Sequence, residues 1–105
     1  MKTQLVQILN QIFEIEKKAR HMPEGRKLDR NLRRLKASLE ELGLAYHDPF
    51  GEAYNETRTD CEASISGKAT DRLVITEVIK PIIHQEVDGY RQLVQRAVVI
   101  VEAAS

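Results

Sequence analysis

Residues 28–43, LDRNLRRLKASLEELG, place leucines at alternating intervals of four and three residues and end in a glycine. The leucines are Leu28, Leu32, Leu35, Leu39 and Leu42. This spacing is typical of a helix that pairs with another helix along a narrow seam, because a helix covering a globular core presents a broader stripe. Gly43 stands where a left-handed residue often terminates a helix. We therefore predict a helix from about Arg26 to Leu42, whose leucines form a dimerisation seam.

A second helical pattern precedes this seam, over residues 3–20. Its apolar residues recur every three or four positions, at Leu5, Ile8, Leu9, Ile12, Ile15 and Ala19. The following segment His21–Gly25 contains Pro23 and predicts a turn so short that the two helices pack as an antiparallel hairpin. A hairpin of about 40 residues is too small to be stable alone. We predict that residues 1–44 of two copies form a four-helix bundle; the alternative is that the rest of the same chain covers the stripes.

The second helix carries its basic residues ahead of its acidic ones. The basic residues are Arg26, Lys27, Arg30, Arg33, Arg34 and Lys36. Glu40 and Glu41 follow at the C-terminal end, which is the opposite of the order that the helix dipole favours. Two interpretations stay open: a basic face for an acidic partner, or a solvated face with ion pairs to Glu14 and Glu16 of the first helix.

Residues 45–105 differ in composition from the helical part, since they contain turn-forming residues and runs of β-branched residues. The runs Leu73–Val87 and Tyr90–Val101 flank Asp88-Gly89, which is the strongest short-range signal for a β-hairpin. Pro81 cannot donate to a ladder and marks a bulge or an edge. We predict a small β-rich head of about four to six strands, and hence an α+β fold. The competing interpretation is an amphipathic helix over residues 86–99.

The composition limits the classes of function. Sixteen basic residues balance sixteen acidic ones, so no surplus of charge favours nucleic acid or a membrane surface. No apolar run approaches a membrane span, and the N-terminal residues are too charged for a secretion signal, so we expect a cytoplasmic protein. The single cysteine, Cys61, and three histidines show no metal-ligand spacing. Nothing is spaced as a catalytic constellation, and we expect a non-enzyme without a cofactor.

Three segments carry a resemblance to a known family. Residues 25–43, GRKLDRNLRRLKASLEELG, resemble the last helix before the head of GrpE, the nucleotide exchange factor of DnaK-type chaperones. Residues 48–56, DPFGEAYNE, are similar to the stretch that follows in that family, with Phe50 and Glu56 matching at the right separation. Residues 95–101, QRAVVIV, resemble its terminal strand. Asn55 stands where the family usually has histidine, and the family's long N-terminal helix has no counterpart.

This resemblance implies a shortened GrpE-like homodimer whose head binds the ATPase domain of a DnaK-type chaperone and promotes ADP release. The partner-binding residues that it implies are Asn55, Glu56, Arg91, Val99 and Val101. The two valines have a competing interpretation as core residues. An alternative function is that of a dimeric adaptor or assembly module that has the GrpE-like fold without exchange activity. Neither function requires nucleic acid or a membrane.

Overall fold

The computed structural model describes residues 2–68 and 72–104, and within them the chain has an α+β fold, as predicted. The helical elements are α1 (Lys2–Ala19), a 3₁₀ turn (Gly25–Leu28) and α2 (Asp29–Glu41). The strands of the described chain are β1 (Leu44–His47), β2 (Ala53–Tyr54), β3 (Cys61–Ile65), β4 (Leu73–Lys80), β5 (Ile82–Val87), β6 (Tyr90–Gln95) and β7 (Ala97–Ala103). These seven strands exceed the predicted four to six, and the competing helix over residues 86–99 does not form.

The chain divides into two compact units that do not follow chain order. The first comprises the residues up to Tyr46 together with His84–Gln92, and the second comprises His47–Ile83 together with the residues from Leu93 onward. The predicted division at residue 44 or 45 therefore lies near the first boundary. It does not anticipate that the β-hairpin around Asp88-Gly89 belongs to the same unit as the helices.

In the first unit, α1 and α2 pack against each other, as the hairpin prediction requires. The buried side chains of the two helices are Leu9, Ile12, Phe13, Ala19, Leu32 and Leu39. The ring of Phe13 meets that of Tyr46 edge to face, with centroids 5.6 Å apart. Lys36 forms an ion pair with Glu16 at 3.2 Å and lies 5.0 Å from the centroid of the Tyr46 ring. Apolar packing and the Lys36–Glu16 ion pair therefore join the two helices, while Tyr46 of β1 contacts α1 through Phe13 and α2 through Lys36.

Glycines shape both ends of α2. Gly25 lies in the 3₁₀ turn so close to α1 that a β-carbon there would stand 1.8 Å from the carbonyl oxygen of Ala19. Gly43 terminates α2 with a φ of 84°, as predicted for a left-handed cap, and its amide donates to the carbonyl of Glu40. The carbonyl of Gly43 also accepts a hydrogen bond from the amide of Glu86, at 2.8 Å.

The predicted β-hairpin is confirmed: β5 and β6 are joined by Asp88 and Gly89, with φ values of 51° and 81°. The three strands β1, β5 and β6 form one sheet in the order β1-β5-β6. Pro81 does not lie beside an edge strand of its new sheet, but the predicted irregularity occurs directly before it, since the pairing of β4 with β7 shifts register between Val78 and Lys80. Pro81 is buried between β4 and β5, at the point where the chain leaves one sheet and enters the other. A residue without an amide proton suits that corner, since no ladder bond is lost there.

The second unit contains a four-stranded sheet in the order β2-β4-β7-β3. Strand β7 pairs antiparallel with β4 and parallel with β3, so the last strand in chain order lies inside the sheet. One face of β7 is fully buried through Ala97, Val99 and Val101, while the alternate residues are half-buried. This alternation is that of a sheet with one core-facing side.

Candidate partner-binding surface

The partner-binding residues predicted from the sequence fall in three places. Asn55 and Glu56 are exposed and adjacent, in the loop between β2 and β3 of the second unit. Arg91 is exposed on β6 and belongs to the first unit. Val99 and Val101 are 1% and 0% exposed, so their side chains are part of the core and unavailable to a partner. Of the five residues, Asn55, Glu56 and Arg91 are therefore the ones whose side chains are accessible to a partner.

The turn between β1 and β2 presents an aromatic side chain to solvent. Pro49 is fully buried, and the next residue, Phe50, is 61% exposed. The amide of Phe50 donates to a carboxylate oxygen of Asp48 at 3.0 Å. The amide of Gly51 donates to the carbonyl of Ile75 at 2.9 Å, and the amide of Ile75 donates back to the carbonyl of Glu52 at 2.9 Å. Phe50 is thus an exposed ring on a turn that is tied to strand β4.

The core valines support this turn from within the sheet. Ile75 of β4, which holds the turn through both of its backbone groups, is paired in register with Val101 of β7. Val99 lies two residues earlier on the same buried face. The two valines therefore hold β4 in place through strand pairing, and β4 in turn holds the turn that carries Phe50.

A cluster of charged side chains connects the start of this turn to the loop before β3. Arg58 donates through Nη2 to Glu52 at 2.7 Å and through Nε to Asp60 at 2.6 Å. His47 forms a further short contact with the second carboxylate oxygen of Glu52. Arg58 also donates to the carbonyl of Ala53 at 3.0 Å. Its guanidinium therefore bridges the two ends of the loop that carries Asn55 and Glu56.

The contacts with Arg58 and His47 lower the pKa values of the carboxyl groups in this cluster. The hydrogen bond from Arg58 lowers the pKa of Asp60, against the opposing effect of burial. Burial would raise the pKa of Glu52, but hydrogen bonds from Arg58 and His47 outweigh it and lower the pKa. Both pKa values are below those of the unfolded chain. The stability that these groups contribute is therefore present above about pH 4, and it is lost as the pH falls through their folded-state values.

Replacing Arg58 with methionine is expected to lower the free energy of unfolding at neutral pH by about 2 kcal/mol, since hydrogen bonds between charged partners are lost. The difference in unfolding free energy between parent and variant should shrink on acidification, because protonated Glu52 and Asp60 no longer form ion pairs with the guanidinium of Arg58. Urea unfolding at neutral and acid pH measures both effects. Arg58→Lys is the control that keeps the charge without the two-sided fork, and it should recover part of the loss. A difference that does not change with pH would contradict the role given to the carboxylates.

Phe50 was not among the partner-binding residues predicted from the sequence, although it matches the family segment over residues 48–56. A signal was present, since a large aromatic residue directly after a proline in a turn is unusual unless it packs or binds. The sequence could not distinguish these two outcomes. The exposure of Phe50 shows that its ring does not pack in the core.

A second exposed apolar surface runs along the helices of the first unit. Within the leucine series, Leu32 and Leu39 are buried by the chain itself. The remaining leucines form what we call the leucine row, with exposed fractions between 38% and 60%: Leu28, Leu35 and Leu42. They are seven residues apart, as are Ile8 and Ile15 of α1, which are 47% and 42% exposed. Each helix therefore buries one heptad line and exposes another.

The single cysteine lies in the core of the second unit. Cys61 is buried in β3, where burial raises the pKa of its thiol to about 11, so it stays protonated near neutral pH. Residues 2–68 and 72–104 contain no group of three or more His, Cys, Asp or Glu side chains that could hold a metal ion. No helix among them is long and apolar enough to cross a membrane.

No protein-family model, curated protein or solved structure matches this chain.

Proposed function

We propose that this chain is a homodimeric, GrpE-like co-chaperone whose β-rich head binds the ATPase domain of a DnaK-type chaperone and promotes ADP release. The observation that carries the dimer is the leucine row, since large apolar side chains with heptad spacing stand in water in the single chain. A second copy that contributes its own α1 and α2 would cover this row and the two exposed isoleucines in a four-helix bundle.

The proposed contact with the chaperone uses the head. Phe50 supplies a large aromatic ring on a turn held by four hydrogen bonds, and such preorganised aromatic residues dominate binding energy in protein interfaces. Asn55 and Glu56 lie in the loop that Arg58 bridges. The assignment to the GrpE family rests on the order of the elements, a helix pair followed by a β head, and on the three resembling segments.

The proposed mechanism needs no catalytic residue. A head that binds the open, nucleotide-free form of the ATPase domain more tightly than the closed form must weaken ADP binding by the same factor, by linkage. A rigid contact turn helps the head to distinguish the two forms. A flexible turn would adapt to the closed ATPase domain as well, and the head would then bind the open and closed forms with similar affinity. The hydrogen bonds between Ile75 and the turn supply that rigidity.

The test is the release of a fluorescent ADP analogue from a DnaK-type chaperone, followed by stopped flow with and without this protein. We expect an acceleration of about tenfold or more, a drop in the barrier of about 1.4 kcal/mol. Phe50→Ala should weaken binding to the ATPase domain by about 2 kcal/mol, because it removes a central aromatic anchor. Unfolding stability should change little, since the ring is mostly exposed.

The matched control is Ile79→Ala, which removes an apolar side chain of similar exposure, 47%, from β4. It should leave binding and release unchanged. Binding without acceleration would favour the adaptor function over the exchange factor. Absence of binding would contradict both forms of the chaperone hypothesis, while equal losses in the two variants would contradict the role of Phe50.

A further inference from the structure

Four arginines stand exposed along one side of α2 and the turn before it. We call them the arginine row: Arg26, Arg30, Arg33 and Arg34. Arg33 and Arg34 lie three and four residues after Arg30, so both are its neighbours on the surface of α2, and Arg26 precedes them in the 3₁₀ turn. Within residues 2–68 and 72–104, none of the four guanidinium groups forms a hydrogen bond or an ion pair.

The other basic residues of this segment behave differently. Lys27 pairs with Glu24 at 3.2 Å, and Lys36 pairs with Glu16 at 3.2 Å across the two helices. Among the described residues, the predicted ion pairing between the basic face and α1 is therefore found at Lys36 alone. The guanidinium groups of the arginine row have no partner among the residues that the structure describes.

Helix stability does not explain the row. Arg30 lies three and four residues from Arg33 and Arg34, a spacing at which like charges repel each other. The last turn of α2 contains Glu40 and Glu41 and no basic residue, so its charges oppose the helix dipole. Repelling arginines whose guanidinium groups have no partner among the described residues point to a contact outside the chain.

The arginine row also lies away from the leucine row. At about 100° per residue, Arg30, Arg33 and Arg34 lie between about 100° and 160° around α2 from Leu35. A helix covering the leucine row would leave these guanidinium groups accessible. The row belongs to the first unit, whereas the Phe50 turn belongs to the second. The inference below is therefore independent of the proposed function.

We propose that the arginine row binds an acidic protein surface, with carboxylates of the partner facing the guanidinium groups. The planar guanidinium fork of each arginine matches a carboxylate bidentately. Glu40 and Glu41 follow Arg33 and Arg34 by seven residues, so they continue the same lines along the helix. A protein can place a basic residue opposite these glutamates, whereas a phosphate backbone running along α2 would be repelled by them.

The experiment measures binding of three labelled probes by fluorescence anisotropy at increasing ionic strength. The probes are a helical peptide with a glutamate block followed by a lysine block, a peptide of glutamate alone, and a DNA duplex. We expect the two-block peptide to bind most tightly and its affinity to fall with salt. The triple variant Arg30→Gln/Arg33→Gln/Arg34→Gln should weaken its binding by about tenfold or more.

The control Lys18→Gln/Lys68→Gln/Lys80→Gln removes the same charge from three exposed lysines elsewhere and should leave binding almost unchanged. Thermal unfolding should show the arginine variant to be at least as stable as the parent, since repulsion within α2 is relieved. Equal losses in the two triple variants would overturn the proposal, because they would show an effect of net charge alone. Tightest binding to the duplex would also overturn it and would indicate a phosphate-binding surface instead.

Discussion

A Leu35→Asp variant is expected to be monomeric at concentrations at which the parent chain is a dimer. Leu35 stands in the middle of the leucine row and is 47% exposed in the single chain, so the monomer tolerates aspartate there. In the four-helix bundle the same carboxylate would be buried at the centre of the seam without a partner, which costs several kcal/mol. Sedimentation or light scattering over a range of concentrations measures the change in mass.

Two further variants make this result specific. Ala37→Asp places the same charge on α2, two residues away and on another face, and should leave the dimer intact. Leu32→Asp, at a position that is 4% exposed, should unfold the first unit, because the charge would enter the core of the chain itself. A parent that is monomeric at all concentrations, or a Leu35→Asp variant with the parent's dissociation constant, would contradict the bundle.

A Gly25→Ala variant is expected to lose about 3 kcal/mol or more of unfolding free energy, a large part of the stability of a small protein. The added β-carbon would stand 1.8 Å from the carbonyl oxygen of Ala19. Because that atom belongs to the backbone of α1, no side-chain rotation relieves the clash, and the end of α1 has to move away from the turn. The amide of Gly25 also donates to Met22, so the movement strains a hydrogen bond of the turn.

Urea unfolding of parent and variant at one protein concentration is the appropriate measurement, since stability depends on concentration in a dimer. Gly89→Ala is a suitable control, because φ is 81° there but no heavy atom lies within 4 Å of the added carbon. It should cost only about 1 kcal/mol, the penalty for a left-handed conformation. Equal losses of unfolding free energy in Gly25→Ala and Gly89→Ala would contradict the role given to close packing at Gly25.

The helices and the hairpin could be predicted because their signals are local. The leucine spacing specifies α2, Gly43 its end, and Asp88-Gly89 the turn between β5 and β6, and each depends only on neighbouring residues. The leucine series could not reveal which of its members the chain covers by itself. Leu32 and Leu39 are buried while Leu35 is exposed, and that depends on where α1 packs.

The elements that the sequence did not predict depend on contacts between distant parts of the chain. Pro81 could be seen as an interruption of the ladder, but its place between two sheets follows from pairings of β4 and β5 that no local pattern encodes. The exposure of Phe50 depends on hydrogen bonds between its turn and Ile75. The burial of Val99 and Val101 depends on the position of β7 between β3 and β4.

That position of β7 has a consequence for how the chain is synthesised. Strands β3 and β4 both take their hydrogen-bonding neighbour from the last strand in chain order, so neither is completed until about residue 103 has left the ribosome. Helices α1 and α2 contact each other across a short turn and are available much earlier, since local contacts form before distant ones. Two nascent chains on neighbouring ribosomes could therefore associate through their leucine rows while both heads are still unfinished, so that assembly precedes completion of the fold.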